Sequence, residues 1–102
     1  MPKDRRIVLD LAEDARIVFE RSSAHPVEYA VLLLIFRDGK WHTVRAFDNA
    51  HDVEEHHEHR YVGDEKQPPI ITRGPVNQAM HNALHGLIEN WRAIADQWEE
   101  TR

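Results

Sequence analysis

The sequence predicts an α+β domain: an antiparallel sheet of about four to five strands with one C-terminal amphipathic helix packed on one face. Three observations lead there. Apolar and polar residues alternate over short β-rich runs in the first half of the chain, an Asp-Gly pair divides the longest of them, and apolar residues recur at helical spacing only after residue 75. A chain of 102 residues is sized for one domain, spanning 1–102, around a single modest core.

The first run, "RRIVLDL", sets Ile7, Leu9 and Leu11 against Arg6, Val8 and Asp10, and after the turn-like "AED" the run "ARIVFER" repeats the pattern with Ile17 and Phe19. Both read as strands. The run "VEYAVLLLIFRDGKWHTVRAFD" reads as a hairpin closed by Asp38-Gly39, a pair suited to a two-residue turn. That turn predicts Ile35 opposite His42, Leu33 opposite Val44, Val31 opposite Ala46 and Tyr29 opposite Asp48. Asp48 then shares a face with His42, Val44 and Ala46, while Leu32, Leu34, Phe36, Trp41 and Phe47 share the other. Both faces are apolar, so the hairpin is expected to be central and covered on both sides.

One cover is a helix over 75–99, where Met80, Leu84, Leu87, Trp91 and Trp98 fall on one stripe behind Gly74-Pro75. No other segment is periodic enough to be a second helix, so the face with Leu32 and Phe36 calls for a second copy or a protein partner, and a homodimer is expected. The segment "YVGDEKQPPIITRGP" is expected to be irregular.

Composition narrows the chemistry. With no cysteine, disulfides, thiolate zinc sites and a cysteine nucleophile are excluded. A formal charge of −5 opposes loose nucleic-acid binding, although eight histidines among carboxylates soften that objection. No apolar run of bilayer length and no signal-peptide pattern occur, so a cytoplasmic protein with no membrane association is expected.

The stretch "DNAHDVEEHHEHRY", Asp48 to Tyr61, carries four histidines and admits three readings. As a strand, it puts His57, His59 and Tyr61 on one face, the imidazoles roughly 6.6 Å apart along the chain. Two such imidazoles can serve as base and acid in RNA cleavage by a 2′-hydroxyl, with Arg60 balancing charge on the phosphate and Arg45, Lys40 and Tyr61 as substrate contacts. Arg60 points to the opposite face of a regular strand and needs a bend to join them. No cofactor is needed in this reading. The second reading is a divalent metal ion held by His51, His57 and His59 with Asp48 or Asp52. The third is a solvated connection. On the helix, His81 and His85 read as surface residues, and Trp91 and Trp98 as core.

"FDNAH" at a strand end, followed by "HEHRYVGDEKQP" and a C-terminal amphipathic helix, resembles the TumE-like family of small bacterial toxins, RNase partners in toxin–antitoxin pairs. Phe47-Asp48-Asn49, His57-x-His59, Gly63-Asp64-Glu65 and Pro68 carry the resemblance, in order, over roughly residues 27 to 100. It implies that Asp48, Asn49, His57 and His59 form one catalytic site, with Arg60 less closely attached. It also implies RNA as substrate and a cognate antitoxin as partner.

Overall fold

The computed structural model describes residues 3–102, with residues 50 and 51 described by their backbone alone. The chain forms β1 (Arg5–Ala12), β2 (Ala15–Arg21), β3 (Tyr29–Arg37), β4 (Lys40–Asp52), β5 (Glu55–Val62), β6 (Glu65–Lys66), β7 (Ile70–Arg73) and α1 (Val76–Glu99). The sheet runs β1-β2-β3-β4-β5-β6, every pair antiparallel, with β7 also on β5. The architecture is the expected α+β one, but the sheet has seven strands. The two extra strands lie in the segment expected to be irregular. Gly63, at φ +57, turns the chain back into β6, and Ile70–Arg73 then pairs with Glu55–Glu58 beyond the two prolines. The stretch after Asn49, where the sequence admits a solvated connection, is likewise a hairpin, because β4 runs on to Asp52 and β5 starts at Glu55.

Asp38 and Gly39 have φ of +55 and +80, as a hairpin turn with two left-handed residues requires, and Arg37 pairs with Lys40, Phe36 with Trp41 and Ile35 with His42. Beyond that point the register departs from expectation. A bulge between Leu33 and Leu34 on one strand and Thr43 and Arg45 on the other sets Leu33 opposite Arg45, Val31 opposite Phe47 and Ala30 opposite Asp48. One extra residue on β4 exchanges the faces of everything after it. Phe47 therefore packs against the core beneath the helix, while Ala46 and Asp48 turn to the other face, away from His42.

The core lies between the sheet and α1, where Ile17, Val31, Leu33 and Ile35 are fully buried and Met80, Leu87 and Trp98 close over them. The far end of α1 is fastened to the β5–β6 turn. The Trp98 indole N–H donates to the Gly63 carbonyl at 2.8 Å, and the Gly63 N–H donates to the Thr101 hydroxyl at 2.9 Å. Among the described residues no helix is long and apolar enough to cross a membrane.

The opposite sheet face is less open than its composition suggests. Val18 and Ala46 are each 4% exposed and Leu32, Leu34 and Trp41 are half-buried, while Phe36 and, nearer the sheet edges, Val8 and Ile71 stand exposed. The side chains of this face cover one another, with Phe36 against Trp41 at 5.2 Å and the Arg16 guanidinium 4.0 Å over the indole.

Candidate functional site

The β4–β5 hairpin sets Asp48 opposite His57 and Ala46 opposite His59. Because side chains alternate along each strand, Asp48, His57 and His59 meet on the sheet face away from α1. His57 Nδ1 lies 3.7 Å from Asp48 Oδ1, and His59 Nε2 lies 3.8 Å from Asp48 Oδ2. One ligating atom from each residue falls within 4.8 Å of the other two. The imidazoles are edge to face, with centroids 6.1 Å apart, and their side chains are 7% and 11% exposed against 21% for Asp48. The carboxylate is the open side of the group.

The other nitrogen of each ring is held from outside. His59 Nδ1 is 3.2 Å from the Gln67 carbonyl oxygen, which can only accept, so Nδ1 carries the hydrogen and the neutral ring keeps its lone pair on Nε2. His57 Nε2 is 3.1 Å from Glu55 Oε2, which by the same reasoning leaves the lone pair on Nδ1. Glu55 is itself held by Arg73, at 3.1 Å, and Arg73 also reaches Asp52 at 3.6 Å. The tautomers assigned from these partners direct two nitrogen acceptors and a carboxylate into one small volume.

The other expected site residues are placed elsewhere. Asn49 is 1% exposed, and its side chain substitutes for missing strand partners: Oδ1 accepts the Tyr29 N–H at 2.9 Å, and Nδ2 donates to the carbonyls of Val27 and Val53 at 2.9 and 3.1 Å. These bonds commit its side chain to the fold. Arg60 stands on the other face, 58% exposed, with Nε 3.0 Å from Glu58, and no bend brings it to the imidazoles. Arg45 pairs with the same Glu58 at 3.1 Å beneath the helix. Lys40 sits at the far end of β4, about 26 Å from Asp48 by strand rise, 3.8 Å from Asp64. Tyr61 is the exception: next along the β5 face of His57 and His59 and half-buried against the core, it has its phenol pushed up by burial and then by the Asp48 charge. The side chain of the expected ligand His51 lies outside what the structure describes, and Asp52 is turned to Arg73. The contributions of Glu55, Arg73 and the Gln67 carbonyl went unanticipated. Only the pairing of β7 with β5 makes Arg73 a neighbour of Glu55, and the prolines of that segment conceal the strand.

His56 faces the helix side, into a cavity of about 390 Å³ lined by Tyr29, Phe47, Glu58, Thr72 and Asn82. Its Nε2 donates to the Gly74 carbonyl at 2.8 Å, so its Nδ1 accepts the Tyr29 hydroxyl at 2.8 Å. Burial, and then the Asp48 charge, push the Tyr29 phenol up to about 12. The folded state thus favours the neutral phenol. Its contribution is complete below pH 10 and is lost as pH rises towards 12, about 2 to 3 kcal/mol in all. Urea unfolding at pH 9 and pH 11.5 is expected to show this loss in the wild type and a smaller one in Tyr29→Phe; equal losses would remove Tyr29 as the cause.

Comparison with curated proteins and with solved structures finds no match. A family model described as a domain of unknown function, DUF7718, matches residues 1–102, and the chain belongs to that family.

Proposed function

We propose that this protein binds a divalent transition-metal ion through Asp48, His57 and His59. The observation that carries the reading is the outward tethering of both rings, His57 to Glu55 and His59 to Gln67, which leaves the inner nitrogens and the carboxylate converging. Histidine ligands are characteristically held in this way, their second nitrogen bonded to a carboxylate or a backbone carbonyl. Bonds of about 2.05 Å around a tetrahedral ion set ligand atoms about 3.3 Å apart, so one donor atom from each residue, all within 4.8 Å of one another, must draw together by up to about 1.5 Å. Two nitrogens and one oxygen suit Zn²⁺, Co²⁺, Ni²⁺ or Fe²⁺ better than Mg²⁺ or Ca²⁺. Three protein ligands leave at least one position for water or a small oxygen or nitrogen ligand, entering from the more exposed Asp48 side.

The same residues favour metal binding over metal-free RNA cleavage of the toxin kind. Cleavage needs a cation on the phosphate beside the two imidazoles; Arg60, Arg45 and Lys40 are all held elsewhere, and Arg73, beside Glu55, is already paired with two carboxylates. The test is titration of the chelator-stripped chain with Co²⁺, followed by its visible absorption, and with Zn²⁺ by calorimetry. One ion per chain is expected, with affinity in the micromolar range or tighter. No binding at 100 µM protein, or RNA cleavage that persists in EDTA and leaves 2′,3′-cyclic phosphates, would return the site to acid–base chemistry.

A further inference from the structure

β1 is an edge strand whose outer side no other element of the described fold pairs, and Arg5–Asp10 is exposed throughout. Apolar residues point to both faces there: Ile7 and Leu9, 64% and 40% exposed, flank the helix side, and Val8, 41% exposed, faces the other. A long apolar edge is a template for another strand, and in stable proteins it is charged, covered or paired. The sequence of this edge matches its own antiparallel copy. A two-fold axis normal to the sheet brings only residues of the same face together, and centred on Val8 it sets Val8 opposite Val8, Ile7 opposite Leu9, and Arg6 opposite Asp10 on both sides. Neighbouring centres fail. An axis at Leu9 sets Asp10 against Val8, and an axis at Ile7 sets Asp4 against Asp10.

The adjoining strand reinforces the match. Arg6 pairs in register with Glu20 and Asp10 with Arg16, whose Nε lies 3.4 Å from Asp10 Oδ1. Across the axis, the row then reads Arg16, Asp10, Arg6, Glu20, alternating in sign through both copies. We propose that β1 pairs with β1 of a second copy about an axis at Val8, joining two sheets into one continuous sheet. This places the dimer contact at the edge of the sheet and not on the face bearing Phe36 and Trp41. The contact closes on itself and leaves no free edge of β1 for further growth.

The test uses the absence of native cysteine in the full chain. Sedimentation of the wild type from 1 to 200 µM is expected to show a monomer–dimer equilibrium, with a dissociation constant on the order of micromolar for so small a contact. Arg6→Asp, which sets two like-charge pairs across the axis, is expected to weaken it about tenfold. Val8→Cys is expected to form an intermolecular disulfide under mild oxidation, since directly opposed residues sit about 5 Å apart. Ile7→Cys is expected not to do so with itself, its copies being about 8 Å apart across the axis. Near-ultraviolet circular dichroism checks that each variant is folded. A wild type that stays monomeric to 200 µM, or a dimer in which Ile7→Cys cross-links as readily as Val8→Cys, overturns the proposal.

Discussion

Asn49→Ala is expected to lower stability by about 4 kcal/mol, a large part of what a domain of this size has in total. The alanine removes one acceptor and two donors at a position 1% exposed, leaving the Tyr29 N–H and the carbonyls of Val27 and Val53 without partners. Each buried group so stranded costs about 1 to 3 kcal/mol, and these three hold the start of β3 to the end of β4. Urea unfolding in EDTA, read from the fluorescence of the three tryptophans, measures the loss. A change below about 1 kcal/mol would mean that Asn49 does not hold the strands together and would return it to the list of chemical candidates.

The second large effect concerns the ion. Removing one of three ligands, by His59→Ala or His57→Ala, is expected to weaken Co²⁺ or Zn²⁺ binding by more than about 100-fold, exceeding the 10- to 100-fold typical of an outer partner. Glu55→Gln, which keeps a hydrogen-bond acceptor beside His57 but removes its charge, is expected to fall within that smaller range. Bound ion at about a hundred times its dissociation constant adds about 2.7 kcal/mol to stability, a rise in melting temperature of more than about 10 °C for the wild type. The rise should be absent in His59→Ala. His81→Ala with His85→Ala is the control: those rings stack at 4.1 Å on the exposed flank of α1 and should leave affinity unchanged. If the helix pair matters as much as His59, the ion sits elsewhere.

Local rules reached much of this fold. Asp38-Gly39 specified the turn and the first pairs beside it, and the stripe from Met80 to Trp98 specified the helix. The bulge at Val44 was not legible, because the residues on both sides of β4 are apolar enough that either register buries a plausible set. Phe47 and Asp48 were consequently assigned to each other's faces. β6 and β7 escaped for another reason: both are short, and their pairing partners on β5 are supplied by tertiary contact and not by their own composition. At the site, His57 and His59 share a face through the simple period of a strand. Their distinct tautomers depend on Glu55 and on a carbonyl at Gln67, which no spacing rule anticipates.

The order of strands across the sheet from β1 to β5 is also their order along the chain. Each new strand therefore finds its template already beside it, with only a short loop to close, and such local pairing favours rapid folding. Asp48, His57 and His59 belong to one such hairpin, so their geometry can arise while the chain beyond residue 67 is still unplaced. The helix is last in the chain and acts as a latch: its final turn reaches back to Gly63 and seals the core, while Asp48, His57 and His59 on the reverse of the sheet stay clear of it. The proposed ion site and the core are thereby built from different parts of the chain, and a metal added during refolding is expected to act before the hydrophobic interior has closed.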